Sequence, residues 1–322
     1  MDSYEIGIYV FSYNRAIYLD NFLRSVSELN ITHPVFIIDD MSDDKDTCNV
    51  LQKYSKKYEV IQPNKDGNDK NYGGLYSNMN YALDHAGLNS FKYALFLQDD
   101  TQLVRPITKK DLEHFDVFFK RNLRAFELHI FFEKKSHIKR RSHCTADQSS
   151  VAHFRAEEHK GHRGFTDIGL FDVKKTKKYL GKFRKNEFDN EDLALKVGSL
   201  VGFYKYPLGH WLPCPKVVRG RKASKLLLIA DKIARADIYP IKHLDDSAIE
   251  QLFKLPSNPP DPRYAEDWLE TEKKLPYEEW TYGGFSNLIG RKGRIKILGL
   301  VLALSFVMLR KVKNTRLFNS AT

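Results

Sequence analysis

The sequence has few cysteines and few prolines. Three cysteines in 322 residues are too few and too scattered for a disulfide framework or a cysteine-rich zinc site. Twelve prolines and 18 glycines, beside 42% hydrophobic residues, exclude a collagen-like, low-complexity or disordered chain. The opening residues do not form a basic region followed by an apolar run, so no secretory signal is expected. We therefore predict a folded protein of the cytoplasm.

Acidic residues are missing from one end of the chain, and the positive charge is local. The net charge is +11, yet residues 134–163 carry eight basic and three acidic side chains, and residues 291–322 carry eight basic and none acidic. The rest of the chain has 36 basic and 38 acidic residues. A nearly neutral body argues against a wide nucleic-acid-binding face, so we expect no nucleic acid partner.

The longest apolar run lies inside the basic C-terminal tail. Residues 297–309 read ILGLVLALSFVML and have Lys and Arg on both sides. As a helix this run is about 20 Å long at ~1.5 Å per residue, which is short of the ~30 Å hydrocarbon core. The tail is therefore predicted to associate peripherally with an anionic membrane surface. The alternative is a terminal helix packed on the protein's own core.

Apolar strands and amphipathic helices alternate in the first hundred residues. Strands are predicted at residues 5–11, 35–38, 59–62 and 93–97, and helices at residues 16–29, 47–58 and 75–86. This alternation predicts an α/β fold with a mostly parallel, Rossmann-like sheet flanked by helices. Ligands of such sheets bind beyond the carboxyl ends of the strands.

Polar clusters follow three of these strands and are predicted to converge on one crevice. They are Tyr13 and Arg15 after the first strand, Asp39 and Asp40 after the second, and Asp99 and Asp100 after the strand at 93–97. One Asp-Asp pair is more often a turn or a helix cap than a site. Two pairs after parallel strands favour a binding function, because paired carboxylates suit a divalent cation with phosphate oxygens completing its shell.

The rest of the chain is less regular. Helices are predicted at 109–120 and 190–201, a strand at 127–132, and mostly helix from 216 to 253 before a proline-rich break at 255–262. We expect a catalytic domain at 1–215, a helical C-terminal extension at 216–290 and a membrane-associating tail at 291–322.

Six segments, in order, resemble the inverting family 2 glycosyltransferases of GT-A fold over about residues 5–210. They are VFSYNR (10–15), IIDDMSDD (37–44), NYGGLYSNMNYALDHA (71–86), LFLQDDTQL (95–103), DIGLFDVKKTKKYLGKF (167–183) and NEDLALKVGSLVGFYKYP (190–207). The resemblance implies transfer of a hexose from a nucleotide sugar, by default a UDP-sugar, to a carbohydrate or lipid-linked acceptor. Surface polysaccharide or glycan synthesis is the implied setting.

The resemblance also implies how the nucleotide is held. Tyr13 and Arg15 would lie near the nucleobase, Asp40 would hydrogen-bond the base, and Asp39 would contact base or ribose. Ser77 precedes Asn78 where many relatives have an Arg-Asn pair. Another cation, such as Lys70, or the metal alone would then balance the negative charge of the diphosphate.

The implied cofactor is a divalent cation, Mn²⁺ or Mg²⁺. Asp100, with Asp99, would hold it against the donor's diphosphate, where it neutralises the departing nucleoside diphosphate. Gln98 stands where relatives often carry the first acidic residue of their DxD element. His210 is a candidate further ligand, although a lone His beside Trp more often packs than ligates.

An inverting transfer needs a base near the acceptor hydroxyl, and the resemblance places it at the start of the helix predicted at 190–201. Glu191 is the first candidate, Asp192 the second and Asp189 the third. The alternative for each carboxylate is a favourable interaction with the helix dipole, which contributes ~0.3–1 kcal/mol to stability.

Two other functions remain open at this point. A sugar nucleotidyltransferase is one, but it needs a glycine-rich phosphate loop after the first strand, and residues 12–16 (SYNRA) contain no glycine. A non-catalytic membrane or nucleic-acid adaptor that acts through its basic segments is the other.

Overall fold

The computed structural model describes residues 5–63, 74–135, 144–147, 149–157, 162–216, 225–255, 262–276 and 280. Its strands are β1 (Ile6–Ser12), β2 (Val35–Asp39), β3 (Glu59–Ile61), β4 (Tyr93–Gln98), β5 (Thr101–Leu103), β6 (Glu127–His129), β7 (Cys144–Ala146), β8 (Ala152–Arg155), β9 (Gly169–Asp172), β10 (Gly202–Tyr204) and β11 (Gly209–Trp211). Its helices are α1 (Ala16–Glu28), α2 (Lys45–Tyr54), α3 (Leu75–Leu88), α4 (Lys109–Arg121), α5 (Val173–Tyr179), α6 (Glu187–Lys196), α7 (Lys225–Ile233), α8 (Asp246–Lys254) and α9 (Ala265–Trp268).

A nine-stranded sheet in the order β3-β2-β1-β4-β9-β6-β10-β8-β7 forms the centre of the fold. The block β3-β2-β1-β4 is parallel, and β9 enters antiparallel between β4 and β6. Strands β5 and β11 form a separate antiparallel pair. The predicted fold class, a mostly parallel α/β sheet flanked by helices, is confirmed.

Helices cover both faces of the sheet, which explains why its central strand is apolar at successive positions. On one face, Ile8 and Val10 of β1 share a buried cluster with Phe22 of α1. On the other face, Tyr9 shares a second cluster with Met79 of α3. Burial of each such side chain stabilises the fold by roughly 1.5–3 kcal/mol, so the two cores hold the strand ends in place.

Helix α6 begins before the predicted residue 190. Its first residue is Glu187, because the side chain of Asn186 caps the helix by accepting a hydrogen bond from the backbone N–H of Asp189 (2.8 Å). Gly198 follows the helix with φ +71°, a left-handed conformation that favours glycine and ends the helix.

The chain from 216 to 253, predicted as mostly helical, contains an extended stretch between α7 and α8. Ile241 forms a β-bridge with Thr271, and its backbone N–H donates to the Gln102 side chain (3.0 Å). The Leu244 N–H donates to the Val104 carbonyl (2.8 Å). These bonds to the region of β5 replace helical ones, so this part of the chain packs directly on the sheet-bearing body.

The apolar C-terminal run, residues 297–309, lies outside the described residues. Within the part of the chain that the structure does describe, no helix has both the length and the apolar character needed to cross a membrane.

Candidate functional site

The carboxyl ends of three parallel strands meet at one edge of the sheet. Strand β1 places Ser12 opposite Asp39 of β2 and Phe11 opposite Gln98 of β4. The backbone N–H of Asp40 donates to the Ser12 carbonyl (2.9 Å), which extends the pairing past the end of β2. The polar residues that follow these strands are therefore brought together, as the alternation of strands and helices predicts.

Arg15 binds both carboxylates that follow β4. Its Nη1 lies 2.9 Å from Asp99 Oδ1 and 2.9 Å from Asp100 Oδ2. Ser12 Oγ donates to the second oxygen of Asp99 (3.0 Å), and the Arg15 guanidinium lies 4.3 Å from the ring centroid of Tyr18. Both aspartates are buried, so this cluster joins the loops after β1 and β4 at low local dielectric.

Burial and pairing act in opposite directions on the pKa values in this cluster. Burial raises the pKa of Asp99 to about 6, although the positive charge of Arg15 lowers it. Burial by itself lowers the pKa of Arg15, but the charges of Asp99 and Asp100 outweigh it and raise that pKa above its usual value. Arg15 therefore stays charged throughout the working pH range.

The aspartates after β2 have different surroundings. Asp39 is buried and shapes the turn: its carboxylate accepts hydrogen bonds from the Ser42 N–H (2.8 Å), the Ser42 hydroxyl (2.5 Å) and the Gln62 amide (2.7 Å). Asp40 is half-buried, and its Oδ1 accepts from the Asn78 amide of α3 (2.9 Å). Asp40 is thus more accessible to a ligand than Asp39.

Tyr13 and Asn14 form the turn that links the first two loops of the site. Tyr13 is half-buried, and its backbone N–H hydrogen-bonds Asp99. Asn14 has φ +50°, which asparagine tolerates better than most residues, and its side-chain oxygen accepts from the N–H groups of Asp43 (2.9 Å) and Asp44 (3.0 Å). The loops after β1 and β2 are thereby held at a fixed distance.

Asp167, which the sequence motifs contain but do not single out, faces the same cluster. Its Oδ2 accepts from the Gln98 amide at the end of β4 (3.0 Å). Burial raises the pKa of Asp167 to about 6, with further contributions from the charges of Glu187 and Asp100. Glu187 is half-buried, and burial also raises its pKa. The available signal for Asp167 was its position directly before strand β9 in the segment DIGLFD.

The candidate bases on α6 lie in two different environments. The Glu191 carboxylate accepts three backbone hydrogen bonds, from the N–H groups of Arg163 (2.9 Å), Gly164 (2.9 Å) and Phe165 (2.7 Å). Asp189 and Asp192 are exposed. Glu191 therefore orders the loop before β9, in addition to any role at the crevice.

Lys134, which no sequence motif singles out, has its Nζ 5.8 Å from the ring centroid of Trp211, and the charge of Asp100 acts on it. Burial lowers the pKa of Lys134 to about 8, while the charges of Glu266, Cys214 and Asp100 raise it. Near neutral pH it is therefore mostly protonated. Lys70, the cation suggested from the sequence, lies outside the described residues.

Two of the residues expected to hold a metal, Asp99 and Asp100, bind the guanidinium of Arg15. His210 is buried on β11 opposite Gln102, and its ring packs near Trp211 (5.7 Å between centroids) and Trp280 (5.4 Å). Among the described residues, no group of three or more His, Cys, Asp or Glu side chains is placed to hold a metal ion. Because Arg15 lies between Asp99 and Asp100, this arrangement does not fit a divalent cation between the two carboxylates.

Comparison with known proteins yields similar structures only. No family model and no curated protein matches the sequence. The structure of TarS from S. aureus is 17% identical with a TM-score of 0.42, covering 77% of this chain and 42% of that chain. The mannosyltransferase PcManGT from Pyrobaculum calidifontis, solved with GDP-Man and Mn²⁺, is 13% identical with a TM-score of 0.40, covering 80% of this chain and 66% of that chain. This chain spans less than half the length of TarS and 66% of the mannosyltransferase.

Proposed function

We propose that this protein is an inverting glycosyltransferase that moves a sugar from a nucleotide-sugar donor to a carbohydrate or lipid-linked acceptor. The observation that carries the proposal is the meeting of three loops at one sheet edge, with Arg15 bound to both Asp99 and Asp100. Open α/β sheets bind their ligands at this edge. A capping role for each Asp pair does not require that the loops meet.

In the proposed complex the nucleotide lies along the loops after β1 and β2. Asp40 hydrogen-bonds the base, because its carboxylate is half-buried and its direction is set by Asn78. Asp39 holds the turn after β2 through its hydrogen bonds to Ser42, and Tyr13 and Arg15 line the adjoining side of the crevice. The default donor is a UDP-sugar, and the proposed setting is surface polysaccharide or glycan synthesis.

The donor's diphosphate needs positive charge where the leaving group forms. Arg15 and Lys134 are two cations near Asp100, and preorganised charges of this kind stabilise a leaving diphosphate most where water is excluded. The cation expected from the sequence, Mn²⁺ or Mg²⁺, stays a prediction, with Asp100 and His210 as its predicted ligands. No step of the proposed reaction involves this cation.

The reaction joins the acceptor oxygen to the anomeric carbon and breaks the bond from that carbon to the phosphate oxygen. The electron pair of the broken bond leaves with the nucleoside diphosphate, and the acceptor's proton passes to a carboxylate on the opposite side of the sugar. We propose Asp167 as that base, with Glu187 beside it, because Asp167 has contacts to Gln98 and is influenced by the charge of Asp100. Glu191 and Asp192 remain the candidates from the sequence.

We also propose that the catalytic domain at 1–215 works at the cytoplasmic face of a membrane. The basic tail at 291–322 would hold it there as a peripheral protein, and the extension at 216–290 would connect the two.

The experiment that tests the proposed function screens nucleotide sugars for slow donor hydrolysis and for thermal stabilisation, each with and without Mn²⁺. A glycosyltransferase is expected to be stabilised by one nucleotide class and to hydrolyse the matching sugar. Stabilisation that needs Mn²⁺ supports the predicted cation, and equal stabilisation without it assigns the diphosphate to Arg15 and Lys134. If no donor changes stability or is hydrolysed in either condition, the proposal is wrong.

A further inference from the structure

Helix α7 turns apolar side chains towards solvent. Leu228, Ile229 and Ile233 are 55%, 50% and 43% exposed, whereas Asp231 of the same helix is 4% exposed and Ala234 just after it is buried. Asp231 therefore faces the protein, whereas these three aliphatic side chains face solvent. A surface helix of a soluble domain usually turns such side chains inward.

The sequence around α7 is basic. Residues 216–235 contain seven Lys or Arg residues and a single acidic one, Asp231, which is buried. The basic residues are Lys216, Arg219, Arg221, Lys222, Lys225, Lys232 and Arg235. An exposed aliphatic face within a predominantly basic stretch of sequence complements a surface that is apolar just beneath a layer of negative charge.

Residues before and after α7 contact the body of the protein near the proposed site. The backbone N–H of Lys216 donates to the Tyr18 hydroxyl (2.9 Å), and the ring of Tyr18 lies 4.3 Å from the Arg15 guanidinium. After the helix, the N–H of Asp237 donates to the Cys214 carbonyl (3.1 Å). The residue that precedes the α7 segment is thus held beside Tyr18, which contacts Arg15.

We infer that α7 is an interfacial helix that binds the surface of an anionic lipid bilayer through Leu228, Ile229 and Ile233. The contact is separate from the tail at 291–322 and adds a second point of attachment. Two attachments fix the orientation of a peripheral protein, whereas one leaves it free to rotate. Resting on the proposed function, this contact holds the crevice at the lipid surface and favours a lipid-linked acceptor over a soluble carbohydrate.

The test measures binding of the full-length chain to phosphatidylcholine vesicles with and without about one third phosphatidylglycerol. The variant L228S/I229S removes two aliphatic side chains from the outer face of α7. The matched control L88S/L123S removes two equally apolar side chains from the ends of other elements, where Leu88 is 86% and Leu123 70% exposed. Both variants alter exposed positions, and circular dichroism checks that each remains folded.

We expect the α7 variant to bind anionic vesicles at least about tenfold more weakly than the wild type, because it removes two aliphatic side chains that would be buried in the bilayer surface. The control variant is expected to bind like the wild type, and both are expected to keep donor hydrolysis. Equal vesicle binding by all three proteins overturns the inference. So does a change from dimer to monomer in L228S/I229S on sedimentation, since a second copy then covers this face.

A second measurement does not depend on weakened binding. An environment-sensitive fluorophore is attached at I229C, in a chain with C48S and C144S. A blue shift of its emission is expected only when anionic vesicles are added. A blue shift without vesicles overturns the inference, because another part of the chain then covers the helix. Failure of donor hydrolysis in the wild type contradicts the proposed function but leaves the vesicle result unchanged, so the two proposals are tested separately.

Discussion

Arg15 Nη1 lies 2.9 Å from Asp100 Oδ2, and the Asp100 side chain is fully buried. The same nitrogen lies 2.9 Å from Asp99 Oδ1. A guanidinium thus neutralises two carboxylates at the sheet edge where a divalent cation was expected. The cluster stabilises the fold of the loops after β1 and β4, and it forms the floor of the proposed donor crevice.

Replacing Arg15 is expected to destabilise the protein strongly. R15A leaves two buried carboxylates without their shared partner, which costs about 3–5 kcal/mol of unfolding free energy. Urea denaturation measures the loss. The control is R24A, which breaks an exposed pair with Glu272 in which the side chains are 41% and 44% exposed, and it is expected to cost less than about 1 kcal/mol. Equal losses in the two variants would contradict a stabilising role for the cluster.

Asn in place of Asp100 is expected to reduce donor turnover while the protein stays folded. The substitution keeps the shape of the side chain but removes a charge that holds Arg15, and misplacement of a charged group by about 1 Å can cost a hundredfold in rate. The steady-state rate of donor hydrolysis by D100N is the measurement. D84N, which alters the exposed pair with Lys177, is the control. The adaptor alternative would be supported if D100N and D99N kept the function of the protein while removal of the basic tail abolished it.

The sequence predicts strands β1, β2 and β4 because each is a continuous apolar run that ends at polar residues. The strand predicted at 93–97, for example, is β4, Tyr93–Gln98. Strand β9 has only four residues, Gly169–Asp172, too few to show a period, and its antiparallel insertion beside β4 depends on tertiary pairing. Fold class was therefore accessible from the sequence, whereas the order of the later strands was not.

For the site, the sequence predicts which carboxylates share an edge but not what each one contacts. The shared edge follows from parallel topology, which the alternation of strands and helices already specifies. The contact of Arg15 with Asp99, and that of Glu191 with the loop at 163–165, depend on loop paths and rotamers. Asp167 was overlooked for the same reason, since its importance lies in neighbours distant in sequence.

The rate of the proposed reaction is expected to rise as the pH increases through about 6. A base must be deprotonated to accept the acceptor's proton, and burial, with the charges of Glu187 and Asp100, raises the pKa of Asp167 to about 6. The pH dependence of kcat/KM is the measurement. D167N is expected to lose most of the rate, and its remaining activity should lack the rise near pH 6. If D167N keeps that rise, another group is the base, and D192N and E187Q are the next variants to measure.

Glu191 is expected to matter for stability even if it also takes part in the reaction. Its carboxylate accepts three backbone hydrogen bonds from residues 163–165, so E191A leaves these N–H groups without their acceptor and costs about 1–3 kcal/mol of unfolding free energy. D192A, at the exposed neighbouring position, is the control and is expected to cost less than about 0.5 kcal/mol. Thermal denaturation at several pH values is the measurement.

The pH dependence of that loss has a definite sign. Burial raises the pKa of Glu191, but the nearby His162 ring (Nδ1 to Oε2 3.9 Å) and hydrogen bonds from the three backbone N–H groups outweigh burial and hold it below its usual value. A lowered pKa in the folded state means that the contribution is complete above the unfolded-state pKa and disappears as the pH falls through the folded-state pKa. The difference in stability between wild type and E191A should therefore be largest near neutral pH. A difference that grows on acidification would contradict this account.

Removal of residues 291–322 is expected to give a more soluble protein with its donor site intact. The tail contributes eight basic and no acidic residues around an apolar run, and the proposed site draws on none of them. Thermal stabilisation by the donor is therefore expected to match that of the full chain, while binding to anionic vesicles falls, since each basic residue near the lipid contributes about 1 kcal/mol. The α7 contact is expected to leave residual vesicle binding that L228S/I229S removes. A truncated chain that fails to fold would instead show that the apolar run packs on the protein's own core.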